Sequence, residues 1–122
     1  MRSTWVVLGV TSALVVLAVG CGSTGTHACT TEARASLTVT VLGPSGRICD
    51  ADVVAQNGND VTTLMTFGGP ECTYAGPYER AGTFTVTASK TGFQSATTMV
   101  TVTADECHVD GQLVTLMLVP QT

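Results

Sequence analysis

The five cysteines are the residues of this chain most able to do chemistry, and their spacing limits what that chemistry can be. Four of them lie far apart along the chain: Cys29, Cys49, Cys72 and Cys107. None of these forms the close Cys-x-x-Cys pair that zinc sites usually need, so the spacing favours two disulfides in an oxidising compartment. Cys21 makes the number odd, and such a cysteine is either a reactive thiol or a modified residue.

The segment before Cys21 has the layout of a secretory signal. Arg2 supplies a positive charge, residues 5–20 are apolar or small, and Ala18-Val19-Gly20 offers a small-residue cut site. The apolar stretch has about 16 residues, fewer than the roughly 20 that cross a bilayer as a helix, and no basic stop-transfer flank follows it. We therefore predict a signal peptide over residues 1–20.

The residues up to Cys21 resemble the lipobox of bacterial lipoproteins, although Ala18 stands where that family usually has Leu. The resemblance implies that Cys21 is acylated, becomes the first residue of the mature chain and carries three acyl chains, since one chain anchors only marginally. Gly22 replaces the Asp that usually retains such proteins in the inner membrane, which implies the outer membrane in a Gram-negative host. An ordinary signal peptidase could also cut before Cys21 and leave it unmodified.

The chain from Cys21 onward has the size of one small domain. It holds four basic and nine acidic residues, a net charge of −5. This charge disfavours nucleic acid as a partner and disfavours a basic membrane-binding face. We predict a lipidated cysteine and flexible tether over residues 21–35, in which Gly22–Ala28 has an r.m.s. reach of about 15 Å.

Apolar residues alternate with polar ones, mostly threonine, along several stretches of the remaining chain. The clearest are 37–41, 83–88, 100–103 and 114–118. This period of two is typical of half-buried strands, and Asn57-Gly58-Asn59-Asp60 predicts a hairpin between strands over 52–56 and 61–66. We expect an all-β fold, a single antiparallel β-sandwich with no helix outside the signal.

Three motifs resemble carboxypeptidase regulatory-like domains. The segment Ser45–Val53 is similar to their G-x-P-hydrophobic-x-G-A-x-V opening, with Arg47 in place of Pro and Asp50 in place of Gly. Gly82–Val86 matches their G-x-aromatic-x-hydrophobic strand, and Lys90–Phe93 matches the following turn. The resemblance assigns residues 36–122 to this domain. It implies a seven-stranded, transthyretin-like sandwich in which the first and last strands are parallel neighbours.

That arrangement also implies a disulfide pairing. Cys29 precedes the first strand and Cys107 the last, so the fold places both at one end. The Asn-Gly hairpin brings Cys49 towards Cys72. The resemblance therefore implies Cys29–Cys107 and Cys49–Cys72, one of the three connectivities that four cysteines allow.

The loop around Gly76-Pro77 is the candidate binding loop, because aromatic and Arg side chains often anchor partners. It comprises Tyr74, Tyr78, Glu79 and Arg80. A structural alternative is that one Tyr covers the core and the charged side chains are solvated.

Catalytic and metal chemistry have weaker support. The acidic residues that are candidate calcium ligands lack the spacing of a calcium loop: Asp50, Asp52, Asp105, Glu106 and Asp110. His27 and His108 are isolated, and no serine lies in G-x-S-x-G. Hydroxyisourate hydrolases of the transthyretin fold end in Tyr-Arg-Gly-Ser, whereas this chain ends in Val-Pro-Gln-Thr. We predict no enzyme, no cofactor and no metal.

Two functions remain. The first is a structural or protein-interaction module of the cell envelope, non-catalytic and tethered by lipid. The second is a glycan- or peptide-binding module of the envelope, which would need an aromatic patch. The few aromatic residues after the signal favour the first.

Overall fold

The computed structural model describes residues 28–122, so the predicted signal and residues 21–27 of the predicted tether, including Cys21, lie outside the described residues. Residues 31–122 form one compact unit. Ala35, just before the predicted domain start at residue 36, forms a β-bridge with Tyr78.

All regular structure in the described residues is β-strand, which confirms the predicted fold class. The segments are β1 (Leu37–Gly43), β2 (Gly46–Arg47), β3 (Asp52–Asn57), β4 (Asp60–Thr63), β5 (Met65–Thr66), β6 (Tyr74–Ala75), β7 (Gly82–Ser89), β8 (Phe93–Gln94), β9 (Ala96–Val102), β10 (Gln112–Met117) and β11 (Val119–Pro120). Several have only two residues, so they do not correspond one for one to the seven strands that the resemblance implies.

The strands form two main sheets. One has the order β10-β1-β6-β5, with β2 also paired to β1, and the other has the order β4-β3-β7-β9. A small third sheet joins β8 to β11. β1 and β10 are parallel, from Leu37 opposite Gln112 to Leu42 opposite Met117. The first strand and the last long strand are thus parallel neighbours, as the resemblance implies.

The core lies between the inner faces of the two main sheets, where side chains alternate between buried and outward positions. In β7, Phe84, Val86 and Ala88 are buried, while the threonines between them face outward. On that outward side Thr83 and Thr87 share hydrogen bonds with the hydroxyls of two threonines of β9. The predicted apolar and threonine faces are therefore present on this sheet.

The predicted hairpin is present, but its second strand changes sheet. Asn57 pairs with Asp60, and Gly58 in the turn has a φ of 62°, which glycine adopts readily. The strand predicted over 61–66 is divided at Leu64: β4 pairs with β3, and β5 pairs with β6 in the other sheet. Leu64 is buried at this corner and its N–H donates to Val53 O at 2.8 Å. Strands commonly change sheets at such bends, and a strictly alternating pattern does not reveal them.

Candidate functional site

The four cysteines for which the sequence predicts disulfides are all disulfide-bonded: Cys29, Cys49, Cys72 and Cys107. Cys49 is joined to Cys72 across 23 residues, with a Cα–Cα distance of 5.4 Å, which confirms that predicted pair. The bond ties the segment before β3 to the loop before β6, and the intervening chain carries the β3–β4 hairpin. Cys29 and Cys107 are each disulfide-bonded as well.

Tyr74 is buried, and this corrects its assignment to the candidate binding loop. Its ring is fully enclosed in the core, and its hydroxyl donates to Ile48 O at 2.7 Å. The same hydroxyl accepts a hydrogen bond from Ala51 N at 3.0 Å. Burial raises the pKa of Tyr74. Tyr74 and the Cys49–Cys72 disulfide therefore both link the short segment 48–51 to residues 72–74.

The other three candidates lie at the surface but differ in what they contact. Tyr78 is 44% exposed. Arg80 is paired with Asp60 at 2.6 Å between Nη2 and Oδ2, an exposed ion pair worth little to stability. Glu79 has a different role, because its carboxylate accepts hydrogen bonds from two other segments of the domain.

The Glu79 carboxylate is a junction that sequence reasoning missed. Oε1 accepts from Val109 N at 3.0 Å, and Oε2 accepts from Arg34 N at 2.9 Å. Oε2 also lies 2.5 Å from His108 Nδ1, and the His108 side chain is nearly buried. Glu79 thus joins the strand-like segment before β1, its own loop and the loop before β10. Its φ of 54° is unusual for a residue with a side chain.

A second missed junction is Ser36, the one buried polar residue of the described chain. Its hydroxyl donates to Arg80 O at 2.6 Å and accepts from Arg80 N at 2.9 Å. Its backbone N–H donates to Pro77 O, and its carbonyl accepts from Gln112 N. A single serine beside an alternating strand carries no sequence signal for such a role.

Acid should weaken the domain through Glu79. The hydrogen bond with His108, helped by the two backbone N–H groups, holds the pKa of Glu79 below its ordinary value of 4.5. A carboxyl whose folded-state pKa is lowered stabilises the fold above its unfolded pKa. That stabilisation is lost as pH falls from about 4.5 through the folded pKa.

In the Glu79→Gln variant the free energy of unfolding should therefore decrease less steeply as the pH falls below about 4.5. Urea unfolding curves recorded at a series of pH values measure this decrease. Glu71→Gln, at a well-exposed glutamate, is the control and should keep the wild-type slope. A wild-type acid slope in Glu79→Gln would contradict this role.

The charged side chains offer no basic patch in the described residues. Arg34, Arg47, Arg80 and Lys90 each lie within ion-pair distance of an acidic side chain. Of the acidic residues weighed for calcium, Asp50 pairs with Lys90, and Asp105 accepts from the backbone N–H groups of the turn that follows it. Residues 28–122 hold no group of three or more side chains positioned as metal ligands.

The outward side of the sheet with the order β10-β1-β6-β5 carries several exposed apolar side chains with threonines between them. These apolar residues are Leu113 (86% exposed), Met65 (70%), Met117 (56%), Phe67 (52%) and the half-buried Leu42, and we call them the apolar face. The strand register aligns Leu113 with Thr38, Thr38 with Ala75, and Ala75 with Met65, so one row crosses four strands. Phe67 donates its N–H to Thr73 O, which continues the pairing into a second row.

Other kinds of site have no support within the described part of the chain. Residues 28–122 contain no helix long and apolar enough to cross a membrane. They enclose no pocket for a small ligand. No protein-family model matches the chain, and a search of curated proteins finds no match.

Proposed function

We propose that this protein is a bacterial lipoprotein of the cell envelope. In this proposal residues 1–20 are removed as a signal, acylated Cys21 anchors the chain, and residues 21–35 tether the domain. Residues 36–122 form a carboxypeptidase regulatory-like sandwich that serves as a non-catalytic structural or protein-interaction module. Gly22 after the anchor favours the outer membrane.

The cysteine count carries this proposal. Four of the five cysteines are disulfide-bonded, and that even number leaves Cys21 as the odd one. Disulfides persist in oxidising compartments, which agrees with an exported chain. An unmodified Cys21 there would be a reactive thiol, whereas acylation gives it a stable role. We also propose that Cys29 pairs with Cys107, as the resemblance implies.

The positions of the motif segments in the fold support the proposed carboxypeptidase regulatory-like assignment. Gly82–Val86 begins β7, and Phe84 and Val86 within it are core residues. Lys90–Phe93 forms the turn from β7 into β8. The parallel pairing of β1 with β10 also supports the assignment.

A non-catalytic role is supported by what the polar side chains already contact. The His108 imidazole is held by Glu79, and the Ser36 hydroxyl is bonded to the backbone of Arg80. These contacts are typical of structural junctions. The glycan-binding alternative is less well supported, because Tyr74 and Phe84 are buried and cannot join an aromatic patch.

Metabolic labelling with an alkyne fatty acid tests the anchor in a bacterial host. The wild-type protein should take up label and sediment with membranes, because acylation at Cys21 supplies the chains that hold it there. Cys21→Ser should abolish labelling. The double variant Cys49→Ala, Cys72→Ala is the matched control and should keep its label. Label retained by Cys21→Ser, or absent from the wild type, would contradict the proposal.

A further inference from the structure

We propose that the apolar face lies against the lipid surface of the membrane that anchors the protein. Phe67, Met65 and Leu113 would then enter the boundary between headgroups and acyl chains. This inference rests on the proposed lipid anchor, and it assigns that anchor a second role, which is to hold one particular side of the sandwich on the bilayer.

The apolar face places several exposed apolar side chains on one side of the sheet: Met65 two residues from Phe67, Met117 beside Leu42, and Leu113 in the row of Met65. Leu113 and Met65 end the same row of the sheet, with Thr38 and Ala75 between them. Adjacent strands lie about 4.8 Å apart, and successive outward residues of one strand about 6.7 Å apart. Met117 lies two such steps from Leu113 along β10 and beside Leu42 of β1. Exposed apolar side chains that gather on one side of a protein often mark a place of contact.

The same side carries few charges, although the domain is acidic. The outward residues of β1, β10 and β5 are threonine, leucine or methionine. Arg47, opposite Leu42 at one border, is close to Glu71. Among the outward strand residues of this side only Arg47 is charged, and it is paired with Glu71, so these strands present no unpaired negative charge to an anionic bilayer.

The short tether favours the membrane over other partners as the surface that the apolar face contacts. Only Gly22–Ala28 lies between Cys21 and the next cysteine, and a flexible chain of that length would have an r.m.s. reach of about 15 Å, so acylation at Cys21 would keep the domain next to the bilayer. The chain enters the sheet at Leu37, and the next residue, Thr38, lies in the row of Leu113 and Met65. A tethered contact is intramolecular and acts at high effective concentration, so a few apolar side chains suffice.

The opposite sheet provides an internal comparison. Its outward row reads Val61, Gln56, Thr85 and Met99 across β4, β3, β7 and β9. Met99 is 68% exposed, similar to Met65, but polar side chains separate it from Val61. A residue at position 99 therefore reports on the side that we expect to face water.

The experiment uses tryptophan fluorescence in vesicles. Trp5, in the predicted signal, is the only tryptophan, so Phe67→Trp and Met99→Trp each place a single reporter in the mature chain. Each acylated protein is purified from membranes and its acylation is checked by mass spectrometry. It is then reconstituted in phosphatidylethanolamine–phosphatidylglycerol vesicles with or without brominated acyl chains. We expect bromine to quench most of the emission of Phe67→Trp and almost none of that of Met99→Trp.

Second substitutions test whether the apolar face causes the quenching. In the Phe67→Trp protein, Leu113→Asp should remove most of the quenching, whereas Met99→Asp should leave it unchanged. An acylated protein with no quenching at position 67, or with equal quenching at 67 and 99, would overturn the inference. A blue shift at position 67 that grows with protein concentration, without quenching, would assign the face to a second copy and would also overturn it. A sample without acylation would instead count against the proposed function.

Discussion

Replacing Cys49 and Cys72 together by alanine should lower the free energy of unfolding by about 3 kcal/mol. The disulfide closes a loop across 23 residues, and opening it returns conformational freedom chiefly to the unfolded chain. Small domains have only about 5–15 kcal/mol of stability, so this loss should be easily measured.

Urea unfolding followed by circular dichroism measures this effect, with the other two bonded cysteines left in place. Because the unfolded variant is less compact, the dependence of free energy on urea should become steeper while the midpoint falls. Unchanged stability would contradict the structural role of this bond. A lower midpoint with an unchanged slope would indicate that the loss comes from packing around Cys72 instead.

Tyr74→Phe should lower the free energy of unfolding by about 2 kcal/mol, although the substitution removes only one oxygen atom. The ring remains in the core, but Ile48 O loses a donor and Ala51 N loses an acceptor. Buried or partly buried backbone groups without partners are costly because water does not fully replace the lost bond. Urea unfolding again measures the change.

Tyr78→Phe is the matched control, since it deletes the same hydroxyl from an exposed ring. Tyr78→Phe should change the free energy of unfolding by no more than about 0.5 kcal/mol, as most surface substitutions do. Tyr74→Phe and loss of the Cys49–Cys72 disulfide should not be additive, because both release residues 48–51. Equal effects of Tyr74→Phe and Tyr78→Phe would contradict the buried role of Tyr74.

The long strands could be predicted because burial of one face imposes a period of two on the sequence. Leu37, Val39 and Val41 alternate with outward residues in β1, and the structure buries all three. The hairpin at Gly58 could be predicted for a related reason, since its turn favours particular residues. Both signals are local, so a single stretch of sequence contains them.

The features that were missed depend on distant partners. In the sequence, Leu64 continues the alternating pattern of the predicted strand. In the structure, the chain changes sheet at Leu64, because the residues that follow it pair with β6. The Glu79 carboxylate meets Arg34 and Val109, which are far away in sequence. Tyr74 and Tyr78 are close in the chain, which predicts a shared loop, but the register of Tyr74 opposite Val39 places Tyr74 in the core. Local residue types do not determine such contacts.

The fold and the proposed anchor account for different parts of the cysteine pattern. The fold explains why Cys49 meets Cys72, because both flank the hairpin segment that Tyr74 also secures. Cys21 lies outside the described residues. The proposed acylation of Cys21 would leave an even number of cysteines for disulfides.

Mass spectrometry of the N-terminal peptide, from protein extracted out of membranes, tests the lipoprotein proposal most directly. The proposal predicts a peptide that begins at Cys21 and carries acyl chains on that residue. A peptide that begins at an unmodified Cys21, or one that retains residues 1–20, would contradict it.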